Sequence, residues 1–135
     1  MATLSEKQAE FLGHPYYGVV TTVREDGSPQ SSVVWVGIRD GYPAFNTAYG
    51  RAKPANMERD PRISMLILDP SDGYRWVLVE GRARLTTEGA DQHIDSLAKK
   101  YLDADTYPFR KEDEQRVTVL IEPTRIEAHG IEEEH

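Results

Sequence analysis

Four cations, Arg51, Lys53, Arg59 and Arg62, fall within the twelve residues 51–62 of a chain of 135 residues whose formal net charge is −7. With Glu58 and Asp60 counted, that segment carries +2 and the remainder −9. Pro54 suits the first position of a helix, where a missing N–H costs nothing, and Asp60-Pro61 ends the helix about two turns later. Arg51 and Lys53 then stand at the mouth of a short helix, with Asn56 in its first turn. Cations at a helix start are disfavoured by the helix dipole, so helix stability does not explain them. A bound anion does: free N–H groups, the positive end of the dipole and two side-chain charges converge on one spot suited to phosphate. The alternative is a set of ordinary solvated charges on a surface helix.

Other chemistries are poorly represented. The chain has no cysteine, hence no thiolate nucleophile, disulfide or thiolate-bound metal. Its four histidines, His14, His93, His129 and His135, are not at metal-ligand spacing, and no Ser/His/Asp arrangement is apparent. Neither a metal nor a covalent catalyst is expected, and no side chain stands out as an acid or base, although Tyr49 lies beside the cation cluster. A sequence pI near 5.1 argues against general nucleic-acid binding, which needs a broad basic face. No apolar run approaches the ~20 residues of a membrane span, and residues 1–13 lack a signal-peptide profile, so a cytoplasmic protein is expected.

The elements that must position the cluster are mostly strands. Residues 4–12 read as a short helix with Ser5 as N-cap. Strands are expected over 16–24, 30–39, 42–48, 62–68, 74–85 and 115–128, all rich in β-branched and aromatic residues. Asp26-Gly27, Asp40-Gly41 and Asp72-Gly73 mark tight turns between them. Gly81 suggests a bulge, and Pro123 a bend or an edge. A further helix, capped by Thr87 with Ala90 as its third position, carries the apolar stripe Ile94, Leu97, Ala98, Tyr101 and Leu102. Residues 103–113 read as a loop and 131–135 as an acidic tail. Six strands with tight connections favour one small antiparallel barrel, a mainly β single domain over 1–135 with short flanking helices.

Arg51-Ala52-Lys53-Pro54-Ala55-Asn56 followed by Arg59-Asp60-Pro61-Arg62, a preceding strand ending Phe45-Asn46-Thr47, and the later Trp76-Val77-Leu78-Val79-Glu80-Gly81-Arg82 together resemble the pyridoxamine 5′-phosphate oxidase-like split-barrel superfamily. The resemblance covers residues 16–130, and the Arg-x-Lys-x-x-Asn form in so short a chain is most similar to the F420-dependent reductase branch. It implies a six-stranded FMN-binding split barrel and a homodimer with coenzyme F420, or alternatively FMN, at the interface. It implies that Arg51, Ala52, Lys53 and Asn56 hold the cofactor phosphate and that Asn46 and Thr47 lie along the ribityl chain or ring edge. The strand Gln30 to Trp35, with Trp35 among its residues, would line the ring, and Trp76 of the second subunit would form a further wall. The residues alone leave alternatives: Trp35 and Trp76 as core or interface aromatics, Asn46 and Thr47 as caps of a strand end. The resemblance also implies hydride transfer to a small electron-poor substrate; oxidation of pyridoxamine phosphate is disfavoured because a C-terminal Arg- and His-bearing segment is missing.

Overall fold

The computed structural model describes residues 2–131, so the acidic run Glu132–Glu134 lies outside the described residues. Helix α1 (Glu6–Leu12) opens on a reciprocal cap: Ser5 Oγ accepts from Gln8 N at 3.1 Å, and Gln8 Oε1 accepts from Ser5 N at 2.9 Å. Strands β1 (Tyr17–Val23), β2 (Pro29–Trp35), β3 (Gly37–Arg39) and β4 (Tyr42–Ala48) follow. Helix α2 (Ala52–Arg59), β5 (Arg62–Asp69), β6 (Asp72–Thr86), α3 (Ala90–Leu102) and β7 (Arg116–His129) complete the chain.

The strands form one antiparallel sheet in the order β2-β1-β5-β6-β7-β4-β3. Strands β2 and β3 are its two edges, yet only Val36 separates them in sequence. The sheet must therefore curl until its edges nearly meet, which makes a barrel split between β2 and β4. Here the structure corrects the sequence reading: the expected continuous strand 30–39 is two strands, and the sheet has seven strands rather than six. The break is stabilised from α3. Val36 N donates to Tyr101 Oη at 2.8 Å, and the Val36 carbonyl accepts from Lys100 Nζ, which also donates to the Leu12 carbonyl at 2.6 Å. A backbone unit that leaves the ladder at a fully buried position thus keeps both its hydrogen bonds.

Alternation along the strands sends Val20, Val34, Phe45, Met65, Ile67, Val77, Val79, Val119 and Ile121 into the barrel, with Phe11, Leu12 and Met57 packed against them. Strand β4 is buried on both faces because α3 covers its outer side. Gly81 marks the expected bulge: the β6–β7 register shifts there, and a Cβ at this position would sit 2.1 Å from the Glu122 carbonyl oxygen. Pro123 pairs opposite that bulge, beyond the stretch of β7 that bonds to β4, where no ladder N–H is required of it.

One expected turn holds and three local expectations shift. The Asp40-Gly41 turn has both residues at positive φ (54° and 82°), as a two-residue hairpin demands. The β5–β6 turn instead falls on Pro70-Ser71, with Asp72-Gly73 already in β6, because the Asp69 carboxylate accepts from Ser71 N and Oγ and closes the turn two residues early. Helix α3 is capped by Gly89 in a left-handed conformation (φ 68°) rather than by Thr87, so Ala90 is its first residue, not its third. Helix α2 starts at Ala52, with Arg51 as N-cap and Pro54 as third residue. Pro54 is tolerated there because N–H groups of the first turn have no intrahelical acceptor.

Candidate functional site

Where β2 parts from β4, a cleft of about 180 Å³ opens beside the start of α2. Its lining draws on β2 (Val33, Val34, Trp35), β4 (Asn46), α2 and its cap (Arg51, Lys53), α3 (Ile94, Leu97), the 103–115 loop (Tyr107, Phe109) and the first residue of β7, Arg116; Tyr17 of β1 closes it. Four of the residues named from sequence, Trp35, Asn46, Arg51 and Lys53, are thus brought together, the last three lying 11 to 18 residues beyond Trp35 in the chain.

One end of the cleft is cationic. Helix α2 has no side-chain cap and no acid in its first turn. Lys53 reaches across to β2, Nζ donating to Ser32 Oγ at 3.0 Å. Burial, followed by the nearby charges of Arg51 and Arg116, holds its ammonium below the usual lysine pKa. Arg51 Nη2 and Arg116 Nη1 lie 3.3 and 3.0 Å from the same Glu114 oxygen, Oε1. Arg51 and Arg116 therefore share one carboxylate and Lys53 adds a further charge, leaving a surplus of +2 at the mouth of α2. Such a surplus suits an anion with several oxygens.

The other end is aromatic. Trp35 stacks on Tyr101 (centroids 5.4 Å apart, planes 10°) and meets Tyr107 edge-on at 5.9 Å. Tyr107 in turn contacts Phe109 at 5.7 Å and lies 5.0 Å from the Arg116 guanidinium. The loop that carries these rings is tied down by Arg110, which pairs with Asp91 and Asp95 of α3 at 2.8 and 2.7 Å.

Other residues named from sequence stand elsewhere. Ala52 opens α2 without lining the cleft. Asn56 is buried beneath α2, its Nδ2 donating to Thr22 Oγ1 (3.1 Å) and Gln30 Oε1 (2.8 Å), and so fastens the helix to β1 and β2. Thr47 neighbours Asn46 but points to the opposite side of β4, into the barrel, where its hydroxyl has no partner among the described residues. Trp76 lies on the outer face of β6, stacked on His129 at 5.8 Å, away from this chain's cleft. Tyr49 does not line the cleft. The sequence reading missed Arg116, Glu114, Tyr107 and Phe109. All four lie more than forty residues beyond the cluster, in or beside an irregular loop without periodicity, so no local pattern marks them.

A phosphate-sized anion at the cationic end, continuous with a flat conjugated group at the aromatic end, is what this cleft can hold. The sequence profile of the pyridoxamine 5′-phosphate oxidase family matches residues 4–130. The chain belongs to that family. Among members of known activity, an F420H(2)-dependent biliverdin reductase from Mycobacterium tuberculosis is 28% identical over 128 residues, covering 91% of this chain and 86% of the relative. A solved F420 reductase is 26% identical, with a TM-score of 0.77 over 87% of this chain and 94% of that one. The fold is shared more widely. A haem storage protein from Vibrio cholerae, 13% identical, superposes with a TM-score of 0.68 over 99% of this chain and 100% of that one. Among the described residues, no helix is long and apolar enough to cross a membrane, and no group of three or more His, Asp or Glu could hold a metal ion.

Proposed function

We propose that this protein is an F420-dependent oxidoreductase that passes a hydride between the deazaflavin and a small electron-poor organic substrate. The observation that carries the reading is the +2 surplus of Arg51, Lys53, Arg116 and Glu114 beside the Trp35 wall, in a chain similar to an F420H(2)-dependent biliverdin reductase and to an F420 reductase. When bound, the deazaflavin supplies the hydride chemistry. The chain's own residues do the rest. Arg51 and Lys53 hold the phosphate, Trp35 and Tyr107 fix the plane of the ring system, and the 103–115 loop keeps water from one side.

A second copy of the chain completes the site. At about 180 Å³ the cleft falls below the roughly 300–1,000 Å³ of pockets that enclose an organic ligand. Two of its lining residues, Tyr17 and Val33, belong to an outward apolar face formed by cross-strand neighbours Val33, Val19, Leu66 and Leu78 in one row and Tyr17, Leu68 and Trp76 in the next. Val33 is 64% exposed and Tyr17 55%, a large apolar patch for a monomer. A two-fold pairing of this face buries it and carries the second copy's Trp76 toward the cleft.

The test is a fluorescence titration of the purified protein with F420 and with FMN in parallel. It is followed by re-oxidation of reduced F420 with added acceptors, biliverdin first. Micromolar F420 binding and acceptor-dependent re-oxidation are expected. Tighter binding of FMN would move the reading to an FMN-dependent oxidoreductase of the same fold. Tight binding without re-oxidation by any acceptor would make the protein a carrier of the cofactor.

A further inference from the structure

Behind the cleft, on the α3 side of β4, lies a buried chain of polar contacts that the binding reading leaves unused. Asn46 Oδ1 accepts from Arg116 Nε at 2.8 Å, while Asn46 Nδ2 donates to the Ala90 carbonyl at 2.9 Å and stands 3.2 Å from His93 Nδ1. Thr118 Oγ1 stands 2.9 Å from the same His93 nitrogen and accepts from Arg39 Nη1 at 3.1 Å. His93 Nε2 is buried without a hydrogen-bond partner among the described residues.

Proton bookkeeping favours one arrangement. Arg116 Nε can only donate and the Ala90 carbonyl can only accept, so the Asn46 amide stands with its oxygen toward Arg116. Its second N–H then faces His93 Nδ1. The Thr118 hydroxyl, which accepts from Arg39, can give its proton to that nitrogen or accept from it. A neutral ring with its proton on Nε2 lets Nδ1 accept from Asn46, and that is the tautomer this contact selects. Burial and the charges of Arg39 and Arg116 favour the neutral ring.

We infer that His93 is a positioning residue for the cleft: as its Nε2–H tautomer it accepts the second N–H of the Asn46 amide and so reinforces the orientation that Arg116 and the Ala90 carbonyl select, and Asn46 in turn holds the Arg116 guanidinium that lines the cleft. The inference rests on the reading of the cleft as a ligand site. Arg116 is held at two points, Nε by Asn46 and Nη1 by Glu114, with its remaining N–H groups not engaged by the described residues. If the amide turns over, a donor faces Arg116 Nε, and the guanidinium must leave this pose. A side chain that never reaches the ligand thus helps hold in place an arginine that meets it.

The test combines NMR with two variants. Long-range nitrogen–proton correlations on the labelled wild-type protein give the His93 tautomer, and the Arg116 Nε–H resonance reports its hydrogen bond. His93→Asn keeps an acceptor near the place of Nδ1; His93→Leu removes it. F420 and FMN titrations and urea unfolding are run on all three proteins. The Nε2–H tautomer is expected in the wild type, with affinity within about twofold in His93→Asn and about tenfold weaker in His93→Leu, where the Arg116 Nε–H signal shifts or exchanges away. An Nδ1–H tautomer in the wild type overturns the inference. So does a His93→Leu protein whose urea midpoint falls while affinity and the Arg116 signal stay unchanged, since that is a purely structural role. If the wild type binds neither F420 nor FMN, the reading of the cleft fails, while the tautomer and the Arg116 signal still decide the relay. Should His93→Leu not fold, the wild-type tautomer and His93→Asn decide it.

Discussion

Lys53 spans from the first turn of α2 to Ser32 on β2, Nζ to Oγ 3.0 Å, and no carboxylate among the described residues pairs with it. A half-buried ammonium beside two guanidinium groups is unfavourable for the free protein, since burial and like charge both act against it. On the proposed function, a bound anion rather than stability accounts for its place. Lys53→Ala is expected to weaken F420 binding by about tenfold or more, the loss of one charge-assisted contact. Its urea midpoint should be equal to or above that of the wild type. A variant that loses stability and affinity together would assign Lys53 to the scaffold instead.

Gly81 offers a stability test away from the cleft. Its missing side chain lets the Glu122 carbonyl approach to 2.1 Å from where a Cβ would stand, and the contact is backbone that cannot swing aside. Gly81→Ala should cost about 3 kcal/mol or more in urea unfolding. Gly27, where a Cβ meets nothing within 4 Å, isolates the other penalty. Gly27→Ala pays only for its positive φ of 88°, about 1 kcal/mol.

Acid should destabilise the fold through His93. Its ring titrates near 4 in the folded protein against 6.5 for a free histidine, lowered by burial and by Arg39 and Arg116. Between those values the unfolded chain binds a proton that the folded one does not, so stability falls as the pH drops from 6.5 toward 4 and levels below. The loss from this one group is roughly 3 kcal/mol. Unfolding curves at several pH values should show that slope in the wild type and a shallower one in His93→Asn. Equal slopes would remove His93 as the source.

The outer face of β1, β2, β5 and β6 predicts a dimer that a single charge can break. Leu66 stands in the middle of the row Val33, Val19, Leu66, Leu78 and is 37% exposed, pointing away from the core. Leu66→Lys should shift the sedimentation coefficient from dimer to monomer with little change in far-UV circular dichroism. It should also weaken cofactor binding, because the second copy's wall is lost. A wild-type protein that sediments as a monomer would overturn the pairing.

Local chemistry is what the sequence by itself made legible. The Ser5 cap, the positive-φ Asp40-Gly41 hairpin, the Gly81 bulge and the placing of Arg51 and Lys53 at a helix start each depend on residues within a few positions of one another. Steric and hydrogen-bonding rules act at that range, so residue types suffice to read them. Tertiary structure decided what depends on distant partners. Strand 30–39 parts at Val36 because Lys100 and Tyr101, more than sixty residues on, take up its carbonyl and N–H. Adjacent Asn46 and Thr47 divide between cleft and barrel interior because the β4–β7 register, not their polarity, sets which side each one faces. The proposed anion site was half legible: two cations are local, but Glu114 and Arg116 arrive only when β7 pairs with β4, setting Ala48 opposite Arg116. Charge pairing acts through space, and the order of residues along a chain does not record which charges the closing of a barrel will bring together.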